Sequence, residues 1–151
     1  MDEKIVIKTS DFAIGKAPQL LITAGVGSCV VICFHDKEKK VGALLHCMLP
    51  SSKEEKLNPL RFANTGIALV LGELEQQGVS KQNLVAKLIG GAHMFKVFDS
   101  LSDVGARNVQ AVKQILASLG IAISSEDTGG NLGRSIEFNL DSGQVTIYTK
   151  A

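Results

Sequence analysis

A chain of 151 residues with 45% apolar content is the length and composition of one folded domain, which excludes a disordered segment. Lys and Arg total 16 against 15 Asp and Glu, a net charge of +1, and six Phe, one Tyr and no Trp supply no stacking ladder, so nucleic acid is not an expected partner. No run approaches the roughly 20 apolar residues of a membrane helix, Met1-Asp2-Glu3-Lys4-Ile5-Val6 is too acidic for a signal peptide, and three cysteines do not make a secreted disulfide framework. A cytoplasmic protein with no membrane insertion is expected.

No repeat, low-complexity tract or linker divides the chain, so residues 1–151 are read as one domain. Residues 4–8 alternate as a first strand. The apolar run 19–23 stops at the glycine-rich turn Ala24-Gly25-Val26-Gly27-Ser28. Residues 29–34 form a continuous run rich in Val and Ile, as a strand buried on both faces does. The polar stretch 35–40 reads as a turn with His35 solvated, and 41–48 is a second apolar run closed by Pro50. Asn58 and Pro59 are an N-cap and first-turn pair opening a helix, with Phe62, Ala63, Ile67, Val70, Leu71 and Leu74 at helical spacing and Gly78 as the stop. Residues 84–89 form a strand ending in Gly90-Gly91. A second helix over 106–119 carries Val109, Val112, Ile115, Leu116 and Leu119 on one stripe, with Gly120 as its cap. A strand at 121–125, a loop at 127–133 and a hairpin of 135–140 with 144–149 complete the chain. Hairpins interrupted by two helices predict an α+β domain of layered mixed sheets.

Centring the turn on 35–40 places Phe34 opposite Val41, Ile32 opposite Ala43, Val30 opposite Leu45 and Cys29 opposite His46. Directly opposed residues share a sheet face with Cβ atoms roughly 4.5–5.5 Å apart, which brings a thiol to an imidazole. A free thiol titrates near 8.5, so a nucleophilic cysteine needs a base to take its proton and return it to the leaving group. Glycines before Cys29 permit a sharp turn and substrate approach, and the Ser28 and Cys29 N–H groups are candidates for stabilising an oxyanion. The alternative is a buried small hydrophobe beside a core histidine, and a one-residue bulge would separate the two side chains.

Zinc is the rival chemistry for Cys29, Cys33, His46 and Cys47. Cys33 lies roughly 13 Å along a strand from Cys29, His46 and Cys47 point to opposite faces, and no Cys-x-x-Cys exists, so no metal is expected. Cys33 and Cys47 are read as packing residues and His93 as an exposed loop histidine. Gly25-Val26-Gly27 is neither a dinucleotide fingerprint nor a P-loop, so no cofactor is expected. Arg134 either clamps an acidic group or is a surface arginine after a turn. The stretch 53–56 is a solvated loop, and Asp99, Asp103, Asp127 and Glu126 form no paired-carboxylate arrangement.

Five motifs in order carry a resemblance: Thr23 with Gly27-Ser28-Cys29-Val30; His46-Cys47-Met48-Leu49-Pro50; the segment from Lys87 through Gly90-Gly91-Ala92-His93-Met94-Phe95; Arg107-Asn108-Val109; and Asp127-Thr128-Gly129-Gly130-Asn131-Leu132-Gly133-Arg134. From about Lys4 to Tyr148 the chain resembles the CheD family of chemoreceptor glutamine deamidases. The resemblance implies a layered α/β sandwich of mixed, largely antiparallel sheets with two main helices. It implies Cys29 as nucleophile, His46 as base and Thr23 as the third member of a triad. Ser28 and Gly27 would serve the oxyanion and substrate. It also implies hydrolysis of glutamine side-chain amides on methyl-accepting chemoreceptors, and a CheC-type phosphatase as partner. Ala24-Gly25-Val26 and Phe62-Ala63-Asn64 depart from the family's usual residues and bear on substrate approach or partner choice. Two other readings stay open: a non-catalytic module binding receptor or CheC, and a cysteine amidase acting on another protein or a small amide.

Overall fold

The computed structural model describes residues 3–51, 58–94 and 103–150; the expected loop at 53–56, Phe95 and Asp99 lie outside the described residues. The strands are β1 (Lys4–Val6), β2 (Asp11–Lys16), β3 (Leu20–Val26), β4 (Val30–Asp36), β5 (Val41–Cys47), β6 (Leu84–Gly90), β7 (Ala122–Thr128), β8 (Gly133–Asn139) and β9 (Val145–Lys150), with helices α1 (Ala63–Gln76) and α2 (Val104–Leu119). They form a five-stranded sheet, β2-β5-β4-β6-β7, and a four-stranded sheet, β1-β3-β8-β9. Only β1 with β3 and β6 with β7 pair in parallel. This is the mixed, largely antiparallel α+β sandwich expected from the residues and the resemblance.

The continuous apolar run of β4 has a direct cause. Its even residues, Val30, Ile32 and Phe34, pack with Ile67, Val70 and Leu74 of α1 and with Val112 and Leu116 of α2. Its odd residues, Val31 and Cys33, face the four-stranded sheet and pack with Leu21, Val26, Ile136 and Phe138. Side chains alternate along a strand, so a central strand between helices and a second sheet is apolar at every position. Cys33 and Cys47 are packing residues of the inter-sheet and helix-side cores respectively.

The β4–β5 register differs from the centred turn by two residues. Ile32 faces Leu45 and Val31 faces His46, so Cys29 does not lie opposite His46. The hairpin turn starts later because Asp36 ends it from inside: its carboxylate accepts the N–H groups of Glu38 and Lys39, each at 3.0 Å. Lys40, at φ 55°, closes back onto the Asp36 carbonyl. His35 is therefore a strand residue and buried, not solvated. It bonds the Leu140 carbonyl oxygen through Nε2 at 2.7 Å and meets Phe138 edge-on. A slip of two preserves which face each side chain takes, so the predicted side of the sheet for His46 is retained.

Two further differences are local. The edge strand β2, paired with β5, is missing from the pattern-based reading because Asp11-Phe12-Ala13-Ile14-Gly15-Lys16 is half polar. The Asn58–Pro59 pair opens a single 3-10 turn, Pro59–Arg61, with Asn58 Oδ1 accepting the Leu60 N–H at 3.0 Å; Phe62 is extended and α1 starts after it. Helix α2 starts earlier than expected, where Asp103 Oδ1 accepts the Ala106 N–H at 3.0 Å.

Gly105, in the first turn of α2, lies against the backbone that follows β6: a Cβ there would sit 2.4 Å from the Ala92 carbonyl oxygen and 2.6 Å from that of Gly91. A helix cannot approach a chain so closely with any larger residue. Gly105→Ala is expected to lower unfolding free energy by about 1–3 kcal/mol, as overpacking does, measured by denaturant titration. An unchanged midpoint would show that α2 does not seat this closely.

Candidate active site

Strands β3 and β5 belong to different sheets, and their inner faces meet at Thr23 and His46, both fully buried. Thr23 Oγ1 lies 2.7 Å from the Ile7 carbonyl oxygen and 2.8 Å from His46 Nδ1. A carbonyl oxygen can only accept, so the single hydroxyl proton goes to Ile7. The hydroxyl oxygen is then the acceptor and Nδ1 must carry a hydrogen. That fixes the neutral tautomer, leaving Nε2 with a lone pair. Nε2 is buried and has no hydrogen-bond partner among the described residues, the Cys29 thiol included. Burial lowers the His46 pKa from 6.5 to about 4, so the ring is neutral at physiological pH and able to accept a proton.

The strand register of β3 shifts by one residue between Thr23 and Val26, a bulge after which Val26 still pairs with Arg134 and the strand ends. It leads to Gly27, Ser28 and Cys29, all half-buried, immediately before β4. Burial pushes the Cys29 thiol above its ordinary value, partly offset by its own backbone N–H. Cys29 is thus a thiol at neutral pH, beside a strand whose neighbour carries a neutral base. Cys29 directly precedes β4 and His46 lies on its hairpin partner β5, but the two are not directly opposed and no hydrogen bond joins them among the described residues.

The carbonyls of this loop are anchored from the protein side. Ala92 N–H donates to Gly27 at 2.9 Å, and Gly91 N–H to Cys29 at 2.7 Å. Asn108 Nδ2 donates to Ser28 at 2.8 Å and also to Met48, two residues past His46, at 2.8 Å. Gly90, at φ 116°, must be glycine: a Cβ would lie 2.3 Å from the Cys29 carbonyl oxygen. Arg134 braces the same turn. It is buried, not a surface arginine, and donates to Gly90 at 3.3 Å, Gly129 at 3.0 Å and the Asp127 carboxylate at 3.0 Å. The space over Gly27 is filled by Met94, whose Cγ would stand 3.2 Å from an added Cβ.

The family model described as CheD chemotactic sensory transduction matches residues 48–149. This chain belongs to the CheD family. Similarity extends beyond that span: the chain is 43% identical to the probable chemoreceptor glutamine deamidase CheD of Clostridium novyi, covering 97% of this chain and 93% of the relative. It is 41% identical to the chemoreceptor glutamine deamidase CheD of Thermotoga maritima, covering 95% and 90%. The Desulforamulus reducens relative, another probable chemoreceptor glutamine deamidase CheD, is 44% identical over 97% and 90%. The family span starts after His46, so Thr23, Cys29 and His46 are reached by these near full-length relatives and not by the family match.

The structure joins Thr23 to His46 directly and places the Gly27-Ser28-Cys29 loop next to the same hairpin. His93 pairs with Asp103 at 3.3 Å and takes no part in this arrangement. Asn108 lies in a motif of the resemblance, but its partners are backbone carbonyls, which no residue pattern displays; Arg134 clamps an acidic group of the protein itself, Asp127, together with two backbone carbonyls. Among the described residues no group of three or more His, Cys, Asp and Glu could hold a metal ion, and no helix is long and apolar enough to cross a membrane.

Two measurements check these environments. Cys33 and Cys47 are fully buried and burial raises both thiols, Cys47 up to about 12. Brief iodoacetamide treatment of the native protein, followed by mass spectrometry, is expected to label Cys29 alone. Labelling of all three at equal rates would contradict the packing. The second concerns His46: as pH falls through 6.5 the unfolded chain binds a proton that the native ring refuses until about 4. Native stability relative to a His46→Gln variant should fall by about 3 kcal/mol between pH 7 and pH 4. A relative stability that rises on acidification would mean the ring is held as imidazolium.

Proposed function

We propose that this chain, acting as one domain over residues 1–151, is a cytoplasmic chemoreceptor glutamine deamidase: a protein-glutamine glutaminase with Cys29 as nucleophile, His46 as general base and Thr23 fixing the His46 tautomer. The carrying observation is the Thr23–His46 bond, which leaves an unprotonated, unpartnered Nε2 beside the loop that bears the thiol. Family membership and full-length relatives named as chemoreceptor glutamine deamidases support the substrate: glutamine side chains on methyl-accepting chemoreceptors. A CheC-type phosphatase is the proposed protein partner.

The chemistry starts from a neutral pair. His46 Nε2 takes the Cys29 thiol proton as sulfur attacks the amide carbon, and the carbonyl oxygen becomes an oxyanion. The N–H groups of Cys29 and Ser28 stabilise that charge. Collapse breaks the C–N bond while His46 returns the proton to nitrogen, so ammonia leaves and a thioester remains. Water then loses a proton to His46 and attacks the thioester carbon. Collapse of the second tetrahedral species restores the Cys29 thiol and releases a glutamate side chain. The open Nε2 accords with this order: catalytic hydrogen bonds are often long in a free enzyme and tighten around substrate.

The test is ammonia release from a purified receptor cytoplasmic fragment, with glutamine-to-glutamate conversion mapped by peptide mass spectrometry. Cys29→Ala should abolish both while still binding receptor. His46→Ala should lower kcat about 10²–10⁴-fold. Thr23→Val, which keeps shape and removes the acceptor for Nδ1–H, should lower it about tenfold. Receptor binding without turnover by the intact protein would favour a non-catalytic binding module.

A further inference from the structure

We propose that Asn108 is a positioning residue for catalysis, holding the Ser28–Cys29 peptide so that the Cys29 N–H and thiol face the substrate carbonyl. This rests on the deamidase reading above. Asn108 is fully buried on α2, and its Nδ2 donates at 2.8 Å to the carbonyl of Ser28 and at 2.8 Å to that of Met48. Both neighbours are acceptors only, so the side-chain NH2 must face them and the amide cannot be flipped. One residue precedes the nucleophile and the other follows the base by two. A single rigid amide group therefore ties the ends of the two chain segments that carry the reaction.

The consequence for the peptide plane is geometric. In a trans peptide the C=O and N–H point in opposite directions. Asn108 draws the Ser28 carbonyl toward α2, which turns the Cys29 N–H away from it. Ala92 N–H does the same to the Gly27 carbonyl, and so turns out the Ser28 N–H. Neither amide donates to a carbonyl among the described residues. The Cys29 N–H lies against its own thiol sulfur, and two adjacent amides that no carbonyl engages, beside a thiol, are what a developing oxyanion needs.

Stability alone does not account for an asparagine here. Its Oδ1 is buried with no hydrogen-bond partner among the described residues, and a buried unpaired acceptor carries a desolvation penalty that an apolar side chain of the same shape avoids. The two donated bonds are what asparagine contributes. The seat is prepared by Gly105, one turn earlier on the same helix face, whose missing side chain lets α2 reach the Gly91–Ala92 backbone.

The test compares the full chain with Asn108→Leu, which fills the space and donates nothing, and Asn108→Ser, which is smaller and keeps one donor. Three quantities are read: melting temperature, the pH–rate profile of Cys29 alkylation by iodoacetamide, and kcat and KM on a receptor fragment. Both variants are expected to fold. Asn108→Leu should lower kcat about tenfold to a hundredfold with KM little changed, and Asn108→Ser less. In both, Cys29 alkylation at neutral pH should slow and its profile move to higher pH. A merely structural residue would shift the melting temperature and leave the profile of the folded protein alone. A wild-type profile and kcat in either folded variant overturns the proposal. Failure of both variants to fold also overturns it, because Asn108 would then determine the fold. If the intact protein does not deamidate receptor, the deamidase reading fails, and the positioning role is decided on the alkylation profile alone. If it deamidates and the variants match it, only the positioning role fails.

Discussion

One hydroxyl proton organises this molecule's candidate chemistry. Thr23 sits on one sheet and His46 on the other, and they meet where neither touches water. The Thr23 proton is committed to the Ile7 carbonyl, so the imidazole can satisfy the shared contact only by donating from Nδ1. Everything at Nε2 follows from that commitment: a lone pair, in an apolar setting that disfavours the imidazolium. The same bond crosses the interface between the sheets, so assembling the sandwich and setting the tautomer are one event.

The thiol is served differently. Many reactive cysteines are ionised by a cationic neighbour or a helix N-terminus. Here burial raises the thiol and lowers the imidazole, and each shift favours the uncharged partner. In the proposed mechanism such a pair is quiet until a substrate brings a carbonyl carbon to the sulfur and closes water out. The protein's contribution is then mainly geometry: carbonyls of the loop 27–29 are held from behind by Gly91, Ala92 and Asn108, and the turn behind them is braced by Arg134. An enzyme that carries a thiol in this form exposes little thiolate to oxidants.

Much of this was legible in the residues. Periodicity located both helices and most strands, because a two-sided core imposes apolar positions that sequence displays directly. Cys29 and His46 were legible as candidates because β4 begins just after Cys29 and its hairpin partner carries His46, although the two are not directly opposed. What misled was the turn. Residues 35–40 look uniformly polar, yet His35 is satisfied by a backbone carbonyl from the far sheet and Asp36 by the turn's own N–H groups. Polar side chains with internal partners are indistinguishable by composition from solvated ones. Strand β2 escaped notice because its apolar residues, Phe12, Ala13 and Ile14, are only partly buried and are flanked by Asp11 and Lys16. Thr23 was reached through resemblance alone, because its partner lies on the other sheet, and the long-range pairing of β3 with β8 leaves no local trace. The role of Asn108 was hidden in the same way, because it acts on main-chain oxygens.

The most direct test of the account is the protonation state of the His46 ring, read by nitrogen-15 NMR of the imidazole across a pH titration of the intact protein. The account predicts a neutral ring at pH 7 with hydrogen on Nδ1 and none on Nε2, persisting as pH falls until it approaches about 4. A Thr23→Val sample should lose the single-tautomer signature. An Nε2–H tautomer, or an imidazolium at pH 7, would contradict the account at its root: Nε2 could not then accept the Cys29 proton.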